Sequence, residues 1–157
     1  MMFMSAVVYL ATAAAAPAMQ PQMVRAQDPE SIVNAMRANG FVAELTTDKT
    51  GDPMIRSVVS GRNFQVLFYN CTDHSQCATV QLHVGYDLKS SPSLESINAW
   101  NRSQRFGRAH LDSENDPILE MDIDLDDGGM NPLLFADNLE FWTSSISRFE
   151  KHIGFGS

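Results

Sequence analysis

The densest run of reactive side chains in the sequence is LEMDIDLDDGG, Leu119 to Gly129, which carries Glu120, Asp122, Asp124, Asp126 and Asp127. Such a run can hold a calcium ion, supply paired catalytic carboxylates, or form the wet face of a strand. An EF-hand loop needs oxygen ligands at positions 1, 3 and 5, glycine at 6 and a bidentate glutamate at 12. A frame opened at Asp122 puts Asp127 where the glycine belongs and Leu133 where the glutamate belongs. One opened at Asp124 satisfies Gly129 but ends on Phe135. Between the acids, Leu119, Met121, Ile123 and Leu125 alternate strictly with Glu120, Asp122, Asp124 and Asp126. A period of two places successive side chains on opposite faces of a strand. The run therefore reads as a half-buried strand with an acidic, solvated face. Asp122, Asp124, Asp126 and Asp127 are the ligand set of the alternative, an irregular calcium or small-ligand site.

Other chemistry is sparse. His74, His83, His110 and His152 show no H-x-x-x-H zinc spacing, no G-x-S-x-G elbow carries a serine, and no glycine-rich phosphate loop occurs. An unrecognised hydrolase would have to use a carboxylate such as Asp116 or Glu120 with His110. No catalytic residue, metal or cofactor is expected. Cys71 and Cys77 flank a short polar stretch, and a bridge between them would staple one loop, contributing about 2 kcal/mol. Zinc held by the two cysteines and His74 is the weaker reading, because zinc cysteine pairs sit two to four residues apart. One stretch could form a recognition patch: AWNRSQRFGRAHLD, with Trp100, Asn101, Arg102, Arg105, Phe106 and Arg108. Core packing is the competing role for Trp100 and Phe106, and Asn101 and Arg105 could instead close a helix.

The elements that must position these residues follow from periodicity and punctuation. Asp28 suits a helix N-cap, Pro29 its first position and Glu30 the positive end of its dipole; Ile32, Val33 and Met36 form its buried stripe. Four strand-like runs follow, Phe41 to Thr47, Met54 to Ser60, Phe64 to Asn70 and Ala78 to Val84, joined by short turns that favour an antiparallel meander. A helix opens at Ser93 with Leu94, Ile97 and Trp100 on its apolar side. Strands over Gly107 to Asp112 and Ile118 to Leu125 come next. A final long helix is capped by Asn131 and carries Leu134, Leu139, Trp142, Ile146, Phe149 and Ile153 at helical spacing. A turn centred on Asn115 would set His110 opposite Glu120 and Arg108 opposite Asp122. The order α-β-β-β-β-α-β-β-α is that of an α+β domain whose helices cover one face of an antiparallel sheet.

The 157 residues are 44% apolar, enough for one domain with a real core. Nineteen acids against eleven bases, a formal charge of -8, disfavour nucleic acid and anionic membrane surfaces, which are bound through Lys and Arg. The first nineteen residues are uncharged and alanine-rich, and Val24 and Ala26 fit the -3 and -1 positions of a leader cleavage site. Ala16-Pro17-Ala18 is a second candidate. Residues 1–26 are accordingly expected to be a signal peptide and 27–157 the mature domain, periplasmic and without stable membrane insertion after cleavage.

INAWNRSQRFGRAHLDSENDPILEMDIDLDDGG, followed by FADNLEFWTSSISRFEKHIG, resembles the YbjN domain family of bacterial sensory transduction regulators. The likeness spans Asp28 to Gly154 and is carried most specifically by W-N-x-x-x-R-F-G-R-A and D-P-x-L-E-M-D. That family is similar in fold to type III secretion chaperones, small α+β homodimers that bind partner proteins. The resemblance thus implies a homodimeric binding module for an unidentified protein or peptide, not an enzyme, and brings no catalytic residues with it. The leader and the cysteine pair depart from the family's cytoplasmic members.

Overall fold

The computed structural model describes residues 22–156. Its order is α1 (Pro29–Ala38), β1 (Val42–Thr47), β2 (Pro53–Val59), β3 (Arg62–Tyr69), β4 (Thr79–Gly85), α2 (Leu94–Ser103), β5 (Arg108–Leu111), β6 (Pro117–Asp124) and α3 (Pro132–Ile153). This is the expected α+β sequence of elements. Every strand pairing is antiparallel, and the strands lie in the order β1-β2-β3-β4-β6-β5. After the β1–β4 meander the chain crosses through α2, lays β5 at the far edge, and returns as β6 between β5 and β4.

Alternation sorts each strand into two faces. Phe64, Val66 and Phe68 of β3, Val80, Leu82 and Val84 of β4, and Leu119, Met121 and Ile123 of β6 are all buried. They meet Phe135, Leu139, Trp142, Ile146 and Phe149 of α3, the inner stripe of a helix capped by Asn131 and closed by the left-handed Gly154. Burying one such side chain fully stabilises the fold by about 1.5–3 kcal/mol. Rings pack edge to face at the junctions, Phe64 against Trp142 and Trp100 against Phe149. Arg62 joins β3 to α3 through Glu150, 2.7 Å away.

Several expectations are corrected. Leu134 is exposed and Phe135 takes its place inside, because the stripe 135-139-142-146-149 starts one residue later. Leu94 is also exposed, leaving Ile97 and Trp100 as the apolar side of α2. Asp28 occupies the cap position of α1 without a capping side-chain bond. The Ser31 hydroxyl instead donates to the Asp28 carbonyl and accepts from the Arg25 amide.

The β5–β6 register also differs by two residues. Arg108 pairs with Glu120, Ala109 with Leu119, His110 with Ile118 and Leu111 with Pro117. The cause is the turn. Asp112 accepts hydrogen bonds from the amides of Glu114 and Asp116, and Asn115 takes a left-handed φ of 66°, so pairing resumes already at Pro117. A shift of two keeps every side chain on its face, which is why the buried and open sets survive.

Most of the expected signal peptide, residues 1–21, lies outside the described residues. Its end does not. Val24 and Ala26 are core residues, and Val24 exchanges two backbone hydrogen bonds with Met130. The packed unit therefore includes this strap, N-terminal to the expected boundary at residue 27.

Candidate functional site: the open face of the sheet

With the helices on one side, the opposite face of the sheet carries the chain's chemistry. One row crosses all six strands: Glu44 on β1, Arg56 on β2, Gln65 on β3, His83 on β4, Glu120 on β6 and Arg108 on β5, each paired with the next in register. Glu120 is only 9% exposed. It was expected on a wet face, and it is on that face, but Arg108 covers it with its Nε 3.0 Å away, and His110 Nδ1 lies 3.7 Å off. The same arginine reaches Asp122 at 3.9 Å. Asp122 also accepts from Gln81 at 2.8 Å, and Tyr69 donates to that glutamine at 3.4 Å. Glu44 and Arg56 stand opposite each other, yet their side chains form no ion pair among the described residues.

Burial shifts two groups here. The His83 imidazole is pushed below its ordinary value by desolvation, with Glu120 opposing and His110 reinforcing the shift. The Tyr69 hydroxyl is pushed up by burial and then by Glu120 and Asp122. A shallow groove of about 530 Å³ runs along this face between Glu44, Arg56, Gln65 and His83.

The stretch expected to form a recognition patch is dispersed. Trp100 is 2% exposed and packs on Phe149 and His152, so it is a core residue. Asn101 holds β5: its Nδ2 donates to the Ala109 carbonyl at 2.9 Å, and its Oδ1 accepts from the Ala109 amide at 2.8 Å. Arg102 is exposed, Arg105 lies over the Phe106 ring, and Phe106 stacks on Phe141. Arg108 alone joins the open face.

The acidic exit of β6 makes turns. Asp124 accepts from the Asp126 amide and Asp126 from its neighbour Asp127. Gly128 and Gly129 adopt φ of 110° and 85°, and the Gly128 carbonyl accepts from Arg25 Nε at 2.9 Å. Among the described residues no three His, Cys, Asp or Glu side chains gather to hold a metal. His74 bonds to Asp52, and Cys71 and Cys77 form a disulfide. For the hydrolase alternative, the Glu120 carboxylate is held in an ion pair with Arg108.

The row across the open face was missed by sequence reasoning. Its members sit at polar positions of alternating strands, but nothing short of the strand order reveals that they align.

Fold and face together define a small α+β domain that offers a partly charged sheet surface. The chain belongs to the YbjN family, whose family model, described as "Putative bacterial sensory transduction regulator", matches residues 28–155. This is a family of regulators and not a known enzyme family. Comparison with curated proteins gave no match.

Proposed function

We propose that the protein is a non-enzymatic regulator that acts in the periplasm by binding another protein or peptide, and that it does so as a homodimer. The observation that carries this reading is the uncovered sheet. Glu44, Arg56 and Arg108 are exposed on the face opposite the helices, and its edge strand β1 exposes Val42 and Leu45, with Arg37 bonded to the Ala43 carbonyl. Edge strands of this kind template pairing with another chain unless they are protected. Family membership supports a regulatory role.

The disulfide supports an oxidising compartment. Cleavage after Ala26 would remove Val24 and Ala26 from the core, so we propose that the leader is cut after Ala18, keeping the strap. Intact mass of the exported protein tests this. The expected chain begins at Met19 and lacks free thiols; uncleaved, cytosolic protein with two reactive thiols would count against export. Binding is tested by capture from envelope extracts. A discrete partner held by the wild type and lost on Val42→Asp/Leu45→Asp is the expected result. No partner above background, even after crosslinking, would count against it.

A further inference from the structure

The row of six on the open face has a symmetry of its own. Reading across from β1 to β5, it runs acidic, basic, polar, histidine, acidic, basic: Glu44, Arg56, Gln65, His83, Glu120, Arg108. Its midline falls between β3 and β4. A two-fold axis along that midline, parallel to the strands, maps the first position onto the sixth, the second onto the fifth and the third onto the fourth. Glu44 then meets the second copy's Arg108, Arg56 meets its Glu120, and Gln65 meets its His83. Each charge falls opposite one of the other sign, with Glu120 already covered by Arg108 of its own chain. One step along the strands, the same operation sets Val58 against Ile118, apolar on apolar.

We propose that the open face is the homodimer interface, with two sheets stacked face to face about this axis. The inference rests on the homodimer reading above and names its surface. Isologous interfaces must be self-complementary in this sense, and sheets stack at about 10 Å with strand directions nearly aligned. Six strands spaced about 4.8 Å apart span roughly 24 Å, enough for an interface at the low end of the stable range. Charge selects the occupant. The chain carries -8 overall, so copies repel at most surfaces, whereas this row balances two acids with two bases. Glu44 and Arg56 are also left without ion pairs of their own, as residues awaiting a partner would be. Asp122 and Asp124 fall one and two rows further along β6, where the same operation sets Asp122 against the second copy's Met54.

The test swaps charges without changing the net charge. Variant one is Glu44→Arg/Arg56→Glu, on exposed positions with no ion pair to lose. Variant two is Arg108→Glu/Glu120→Arg, which inverts an existing pair. Each variant alone places like charges at both contacts, so its dimer dissociation constant should rise by about 100-fold or more. Mixed together, the two variants are complementary at all four contacts and should form a heterodimer. Light scattering on the full chains, with circular dichroism to verify folding, reads the result. If variant one dimerises as tightly as the wild type, this surface is wrong while the homodimer stands. If the wild type is monomeric at high micromolar concentration, both fail. Two folded variants that do not associate on mixing would also overturn the proposal. Should variant two fail to fold, variant one still decides.

Discussion

Gly129 lies against the main-chain carbonyl of Val24 so closely that a β-carbon at that position would overlap it. Its φ of 85° is also one that side chains disfavour. The glycine at the exit of the acidic strand is therefore there for the N-terminal strap. Gly129→Ala should destabilise the fold by about 2–4 kcal/mol, from overlap and backbone strain together. Gly128→Ala meets nothing within 4 Å and should cost only about 1–2 kcal/mol. Urea midpoints of the two variants check this; equal, small losses would show that the strap is not held there.

Asn101 matches both the amide and the carbonyl of Ala109, aligning β5 with the end of α2. Asn101→Ala leaves both groups short of a partner at a half-covered site and should lower stability by about 2 kcal/mol. Arg102→Ala, an exposed neighbour, should change it by less than about 0.5 kcal/mol. Thermal melts of the pair separate a strand-aligning asparagine from one that serves only a partner.

His83 gives the fold an acid sensitivity with a definite sign. Burial lowers its value in the folded chain below the ordinary 6.5, while Glu120 and His110 face it with opposed effects. The unfolded chain therefore binds the proton more readily, and stability rises with pH across the interval. The contribution is fully present above pH 6.5 and is lost as pH falls through the lower, folded value. His83→Gln should flatten the decline in denaturation midpoint between neutral and mildly acidic pH. An unchanged slope would assign the sensitivity elsewhere.

Ser145 lies on the buried stripe of α3, and its hydroxyl makes no hydrogen bond. A buried hydroxyl without a partner costs about 1–3 kcal/mol. Ser145→Ala removes that cost with little change in volume and improves helix propensity. The variant should be more stable by about 1 kcal/mol, seen as a melting temperature a few degrees higher. A loss of stability would mean that the hydroxyl is bonded in solution.

Much of this architecture can be read directly from residues. Strict alternation from Leu119 to Leu125 identifies β6 and its buried face, and Asn131-Pro132 opens α3. Other features escape for a common reason. Alternation specifies a face but not a neighbour: moving β5 by two residues against β6 leaves Ala109 inside and Arg108 outside in either register. The carboxylate of Asp112, which tightens the turn, makes the choice. Trp100 carried two readings, core and surface patch, because composition cannot tell that Phe149 and His152 come to meet it.

By itself, then, the sequence determined the kinds of element, their order, the buried side of β5 and β6 and the cysteine pair. Local propensity and period act over a few residues and need no partner. Only the tertiary structure decided that β6 lies between β4 and β5, that Val24 belongs to the core, and that Glu44, Arg56, Gln65, His83, Glu120 and Arg108 share one row. Those are relations between segments far apart in the chain, set by which long-range pairing buries the most apolar surface.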